Sequence, residues 1–173
     1  MSATPITLAA VNALGHEDFV AALGPLFEHS PWIAAATWPA RPFASLDQLH
    51  QALCATMYAA PVERQVALIQ AHPDLAGKAA IAGELTAAST REQSSAGLSQ
   101  LSAEEFVAFT RLNAAYRETF GFPFVICARE HTKTSILEQF ARRLEHSREQ
   151  EISAALGEIA KIARLRLLDV VRD

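Results

Sequence analysis

Apolar residues recur three and four positions apart along most of the chain, a spacing typical of helices that bury one face. Three stripes of large apolar side chains stand out in the first half: Phe19, Leu23, Leu26 and Phe27; Leu46, Leu49, Leu53 and Met57; and Val62, Val66 and Ile69. Alanine is frequent and β-branched residues seldom cluster, which favours helix over strand. The pattern predicts an all-α fold of about seven or eight helices.

Capping residues and helix breakers place the boundaries in the first half. Ser45 is expected to cap the helix of the second stripe, and Pro61 suits the first turn of the third. Pro73 predicts that this third helix ends at His72, because the residue before a proline is pushed out of the α region.

The second half is divided in the same way. Residues 83–101 are small and polar, which indicates a loop with one short helix. Ser102 and Glu105 form a capping-box pattern at the start of a long helix, and the glycine and proline within 120–124 end it.

Two further helices complete the prediction. One spans residues 134–148, with Ser135 and Glu138 as its capping box, and the last spans residues 150–171. No repeat, low-complexity tract or linker interrupts the chain, so residues 1–173 are predicted to form a single compact domain.

Composition narrows the class of protein. The formal net charge is −4 and the 15 basic residues are scattered, so the positive patch that nucleic acid requires is missing. Cys54 and Cys127 lie far apart without a CxxC pattern, which indicates small core residues in a reducing compartment. No basic and apolar leader, Ser-Lys-Leu terminus or apolar run of about 18 residues is present. We therefore expect a cytoplasmic protein that does not enter a membrane.

Chemistry is expected where the helical pattern breaks, and the first break is His-Pro-Asp-Leu-Ala-Gly at residues 72–77. The proline ends a helix just after His72, and a helix C-terminus favours a protonated imidazole. His72 is thus a candidate acid or base. The alternative is a plain helix stop followed by an aspartate cap.

The second break is Ser-Thr-Arg-Glu-Gln-Ser-Ser at residues 89–95. Seven polar residues between apolar helices are usually a solvated loop. This run also concentrates hydroxyl, amide, guanidinium and carboxylate groups, a mixture that suits recognition of a small polar ligand.

The third break is an arginine on the apolar stripe of the last helix. That stripe comprises Ile152, Ala155, Leu156, Ile159, Ala163, Leu167 and Val170. At 100° per residue, Arg166 falls about 40° from the stripe centre and Arg164 about 120° away. A buried arginine keeps its charge, so Arg166 requires either a buried carboxylate or an anionic ligand as its partner.

Other chemistries lack their motifs. The chain has no HExxH, Walker, GxGxxG or GxSxG pattern. Cys127 and His131 stand one helical turn apart, but two ligands make a poor metal site. No metal is therefore expected, and a metal-dependent hydrolase is a remote alternative. A non-catalytic helical interaction module is the stronger one.

Taken together and in order, the broken segments resemble a known family. The matching strings are FEHSPW (27–32), RPF (41–43), AHPDLAG (71–77), EQSSAGL (92–98), FGFPFVI (120–126) and IARLRL (162–167). They are similar to those of 2-oxo-4-hydroxy-4-carboxy-5-ureidoimidazoline (OHCU) decarboxylases. The resemblance implies an all-α lyase without cofactor or metal, typically a homodimer, that converts OHCU to (S)-allantoin and carbon dioxide.

The resemblance also implies which residues form the site. The catalytic residues are His72, Glu92 and Arg166, and the substrate-binding residues are Pro73, Ser89, Thr90, Arg91, Gln93, Phe122, Pro123, Phe124, Val125 and Ile126. His72 is expected to act as general acid and base, and Arg166 to bind the carboxylate or the developing negative charge. Glu92 either orients His72 or contacts the substrate hydroxyl.

Overall fold

Helices account for nearly all regular structure in the computed structural model, which describes residues 4–173. These residues form ten α-helices, several linked by 3₁₀ turns. The helices are α1 (Leu8–Ala13), α2 (His16–Leu23), α3 (Trp32–Thr37), α4 (Leu46–Ala59), α5 (Val62–Gln70), α6 (Lys78–Ala82), α7 (Ala87–Ser95), α8 (Ala103–Phe120), α9 (Lys133–Arg143) and α10 (Arg148–Val170). The all-α prediction is confirmed.

The described residues include seven helices of eight residues or more, in line with the predicted number. The three that the pattern did not predict are α1, α3 and α6, which have five or six residues each. A helix of this length contains fewer than two turns, so its apolar stripe has too few members to recognise.

The chain divides into two compact units. The first unit runs to Ala71 and resumes over Ala160–Asp173, and the second is His72–Ile159. In the first unit, β1 (Ile6–Thr7) pairs in parallel with β2 (Val171–Arg172).

The core of the first unit follows the predicted stripes. All members of the first two stripes are buried. Ser45 caps α4 as predicted, because its side-chain oxygen accepts a hydrogen bond from the Gln48 N–H at 3.1 Å.

The boundaries of α5 differ from the prediction. Pro61 is the N-cap instead of lying in the first turn, and Val62 is exposed instead of buried. The last helical residue is Gln70, two positions before His72. The Ala71 N–H closes the final turn on the Ala67 carbonyl at 3.0 Å.

The long helix of the second unit begins as predicted. The Ser102 hydroxyl accepts a hydrogen bond from the Glu105 N–H, and the Glu105 carboxylate accepts one from the Ser102 N–H. A further hydrogen bond from Lys133 lowers the pKa of Glu105. The helix ends at Gly121, whose φ of 81° lies in the left-handed region that glycine tolerates.

Helix α9 starts at Lys133, within one residue of the prediction, but its capping box and its end were predicted wrongly. Its capping box joins Thr132 to Ser135, instead of Ser135 to Glu138. The helix ends at Arg143, and Arg148 already belongs to α10. Two overlapping capping patterns in Thr-Lys-Thr-Ser-Ile-Leu-Glu cannot be separated by spacing alone.

Cys54 and Cys127 are both buried, and within the described residues neither forms a disulfide. Burial raises the pKa of the Cys54 thiol to about 11, which keeps it protonated and unreactive near neutral pH. The interpretation as core residues is confirmed.

No helix within residues 4–173 is long and apolar enough to cross a membrane.

Gly157 in the interior of α10 offers a test of the helical packing. A Cβ built there meets no other part of the described chain within 4 Å. Gly157→Ala should raise the free energy of unfolding by about 0.5–1 kcal/mol, because alanine loses less backbone entropy than glycine on folding into a helix. Urea denaturation followed by circular dichroism measures this value. An unchanged or lower stability would contradict the open packing around Gly157.

Candidate active site

The segment that follows α5 presents His72 at the start of a tight turn, here called the His72 turn (residues 72–77). Because Pro73 follows it, His72 is disfavoured in the α conformation, and the chain leaves the helix at this point. His72 is buried. The predicted helix stop is therefore present, and it places an imidazole in the interior of the protein.

The His72 turn is compact enough to restrict its own residues. A Cβ added to Gly77 would lie 2.7 Å from the Asp74 Cβ, so only glycine fits there without displacement. Ala76 has a φ of 51°, a left-handed conformation that alanine rarely adopts. The surrounding contacts hold the turn in this strained form.

Gln93 of α7 supplies two of those contacts. Its Oε1 accepts a hydrogen bond from the Ala76 N–H at 2.9 Å, and its Nε2 donates to the Asp74 carbonyl at 3.2 Å. In this structure the Gln93 amide therefore holds the His72 turn. Its predicted contact with substrate remains a prediction.

The polar run at residues 89–95 is helical, and the solvated-loop alternative is wrong for this part. Thr86 caps α7, and Ser89 and Gln93 lie buried one turn apart on the same side of the helix. Glu92 is half-buried, while Thr90 and Arg91 are exposed. A buried helix face made of hydroxyl and amide groups is unusual, because such groups need polar partners.

The loop of predicted substrate-binding residues 122–126 is buried throughout and forms neither helix nor strand. Its backbone polar groups must therefore find partners outside regular structure. The Arg143 Nη1 donates to the Val125 carbonyl at 2.7 Å, and the Glu158 carboxylate accepts from the Cys127 N–H at 3.0 Å. The 3₁₀ turn Ala128–Glu130, which follows this loop, packs against α7.

Arg143 belongs to a buried charged cluster that the sequence analysis missed. Its Nε donates to Glu151 Oε1 at 2.7 Å, and the Tyr116 hydroxyl donates to the same Oε1 at 2.5 Å. His146 Nδ1 lies 2.8 Å from Glu151 Oε2. Burial and the Glu151 hydrogen bond raise the pKa of Tyr116, so its hydroxyl remains a donor.

Helical spacing held a signal for this cluster. Arg143 stands at positions i+7 and i+3 from the buried Ile136 and Phe140, and Glu151 stands four before the buried Ala155. The spacing that singled out Arg166 therefore also identifies Arg143 and Glu151.

Arg166, in the first unit, is buried as the helical wheel predicted. The sequence left open a buried carboxylate or an anionic ligand as its partner, and the structure pairs it with Glu28. Arg166 Nη1 donates to Glu28 Oε2 at 3.0 Å and to the Pro25 carbonyl at 3.3 Å. Glu28 lies between helices, where no periodicity marks a position as buried.

A largely apolar cavity of about 470 Å³ lies in the second unit, and it is lined by two of the predicted substrate-binding residues but by none of the three predicted catalytic residues. It is bounded by Ala76, Thr90, Gln93 and Phe106 among others, and over the described residues its lining carries no charged side chain. Neither His72 nor Glu92 lines it. An uncharged apolar cavity does not match an anionic substrate.

The Arg166–Glu28 pair yields a stability test. Its side chains are 6% and 2% exposed, against 32% and 70% for the matched pair Arg164–Asp47, whose arginine lies on the same helix α10 and whose aspartate lies on α4. Arg166→Met removes the guanidinium that faces the buried Glu28 carboxylate and should lower the free energy of unfolding by about 3–5 kcal/mol. Arg164→Met should change it by no more than about 1 kcal/mol.

Urea denaturation measures both variants. The double variant Glu28→Met/Arg166→Met should recover much of the loss, because it removes both charges together. Equal effects of the two arginine substitutions would contradict the assignment of Arg166 to a buried pair.

Comparison with known proteins places the chain in a family. The family model for OHCU decarboxylase matches residues 12–168, and so extends over both units. The OHCU decarboxylase of Amia calva is 44% identical over 94% of this chain and 93% of its own length. That of Haloferax volcanii is 42% identical over 95% of each.

A solved structure of (S)-allantoin synthase superposes with a TM-score of 0.77 at 28% identity. The match takes in 95% of this chain, which spans about half (54%) of the length of that protein. The model match and the full-length relatives agree, and the chain belongs to the OHCU decarboxylase family.

Proposed function

We propose that this protein decarboxylates OHCU to (S)-allantoin. The observation that carries the proposal is the family match over residues 12–168, together with relatives of 40–44% identity that match along nearly their whole length. The two units act in this proposal as one family domain over residues 1–173.

The substrate determines what the protein must supply. OHCU carries its carboxylate on a ring carbon that also bears a hydroxyl and lies beside an imine. When the carbon–carbon bond breaks, carbon dioxide leaves, and the electron pair remains on the ring as a carbanion or enolate-like species. This species must be stabilised and then protonated on one face. The protein therefore needs a group that tolerates negative charge and a positioned proton donor.

His72 is the proton donor in this mechanism. It acts as general acid and base near the substrate hydroxyl and delivers the proton that sets the chirality of the product. Its burial and its place on a strained, tightly bonded turn support this role, because a positioned donor must return to the same orientation in every turnover.

Arg166 is the cationic group, and it binds the carboxylate or the negative charge that develops from it. Its pairing with Glu28 supports the proposal in one respect, since a buried ion pair holds a guanidinium in a fixed place. Glu92 either orients His72 or accepts a hydrogen bond from the substrate hydroxyl.

Ser89 and Gln93 contact the ureido and ring amides, and Pro73 contacts the substrate beside His72. Residues 122–126 hold the ring largely through backbone groups. The burial of Ser89, and of that loop, supports these contacts, because a polar ligand gains more from hydrogen bonds that exclude water.

Substitution of the two acid–base candidates tests the proposal. His72→Ala and Glu92→Ala should abolish enantioselective production of allantoin while the helical far-ultraviolet spectrum is retained. Circular dichroism of the allantoin made from fresh urate oxidase product measures the enantiomeric outcome. The matched controls are His16→Ala and Glu118→Ala, which remove exposed residues of the same types and should leave (S)-allantoin production intact.

Racemic allantoin from the wild-type protein would overturn the proposed function. The remaining candidate would then be a non-catalytic helical interaction module. Such a module predicts no thermal stabilisation by allantoin, whereas an allantoin-forming enzyme is stabilised by a product that binds only its folded state.

We further propose a cytoplasmic location and a homodimer without cofactor. Two buried cysteines that form no disulfide support a reducing compartment, and the dimer follows from the family resemblance. Sedimentation equilibrium should give twice the chain mass of 18.8 kDa at micromolar concentration. A monomer mass at every concentration tested would contradict the dimer and leave the decarboxylase proposal unchanged.

A further inference from the structure

We propose that Asn113 is a positioning residue for the catalytic turn, because its side-chain amide holds the Leu75 carbonyl and so fixes the backbone that presents His72. The inference rests on the proposed function, in which His72 delivers the proton. Asn113 acts through the His72 turn and has no role here as a group that contacts substrate.

The contact is direct and buried. Asn113 lies in the middle of α8, and its Nδ2 donates to the Leu75 carbonyl at 2.9 Å. Gln93 of α7 bonds the Asp74 carbonyl and the Ala76 N–H, the groups on either side. Amides from two different helices therefore hold three consecutive residues of the turn.

The geometry of proline transmits this restraint to His72. Pro73 alone separates His72 from Asp74, and its ring fixes its own φ near −65°. Few backbone rotations therefore remain between the restrained residues and the imidazole. Once residues 74–76 are held, the backbone of His72 has little freedom to move.

The choice of asparagine argues for a specific bond. Asn113 stands between Phe109 and Tyr116 on the buried side of α8, where an apolar residue would pack without polar cost. Its Oδ1 is also buried and has no hydrogen-bond partner within residues 4–173. Burial of the unsatisfied Oδ1 destabilises the fold, and the hydrogen bond from Nδ2 to the Leu75 carbonyl offsets this cost.

The other attachment from α8 is weaker. Arg117 Nε donates to the Asp74 carboxylate at 2.9 Å, but its side chain is 46% exposed. Water and salt screen such a pair, so it restrains the turn less than a buried amide does.

Asn113→Leu is the decisive variant, since leucine has a similar size, lacks the donor and also removes the unsatisfied acceptor. We expect kcat for (S)-allantoin formation to fall about 10- to 100-fold, the range expected for a displaced catalytic group. KM should stay within about twofold, because Asn113 makes no contact with substrate in this proposal. The melting temperature should change by less than about 4 °C.

Thr110→Ala is the matched control. Thr110 is an exposed polar residue of the same helix, and its hydroxyl donates to the Phe106 carbonyl of α8 itself. It should retain the wild-type kcat. Hydrogen exchange provides a second measurement: in Asn113→Leu the amides of residues 74–77 should exchange faster, while the amides of α8 keep wild-type rates.

The outcomes separate the inference from the proposed function. A wild-type protein that yields racemic allantoin refutes the function, and hydrogen exchange still reports whether Asn113 holds the turn. A folded Asn113→Leu with wild-type kcat overturns the inference. If Asn113→Leu and the smaller Asn113→Ala both lose the fold, Asn113 is a stability residue and the inference is likewise overturned.

Discussion

Backbone that is buried outside helices must have hydrogen-bond partners, and this requirement organises the second unit. Two such segments occur there, the His72 turn and residues 122–126. Neither can pair its carbonyls and amides within a regular element, so side chains of neighbouring helices supply the bonds. Gln93 and Asn113 bond the turn, Arg143 bonds residues 122–126 at the Val125 carbonyl, and Glu158 accepts from the N–H of Cys127, the next residue. The buried polar side chains of Gln93, Asn113 and Arg143 are thus explained by the irregular backbone that they bond, and His72, the proposed proton donor, lies on that backbone.

Charged side chains in the interior of the second unit are also paired, and the loss of such a pair has different consequences from the loss of a surface pair. Arg143 and Glu151 bind each other deep in the second unit, and Tyr116 and His146 complete the carboxylate's contacts. Loss of one partner of a surface pair costs little stability, because water solvates the remaining charge. Loss of one partner of a buried pair costs more, because the remaining charge is not solvated. Arg143 therefore links stability to the loop, since it bonds Glu151 and the Val125 carbonyl at once.

Most of the fold could be predicted from the sequence, because helices are recognised by the periodicity of apolar residues and by capping residues. Ser45 and Ser102 lie where a hydroxyl completes the first turn, and both were predicted as caps. The capping box of α9 was assigned to the wrong residues, because neighbouring hydroxyl side chains fit two capping patterns. The helical wheel identified Arg166 as buried, but it could not identify its partner Glu28, because the chain around Glu28 is not helical. The bond from Asn113 joins residues 38 positions apart, and no local pattern encodes such a separation.

At Ala76, relief of backbone strain and a well-defined turn conformation make opposite demands on the choice of residue. With a φ of 51°, it occupies a conformation that glycine would adopt without strain. Glycine would also allow the segment many other conformations, in the unfolded chain and in the native turn alike. A methyl group in an unfavourable region thus excludes alternatives that glycine would admit. Efforts to stabilise this protein by relieving local strain should leave residue 76 unchanged, because here strain accompanies a narrow conformational distribution.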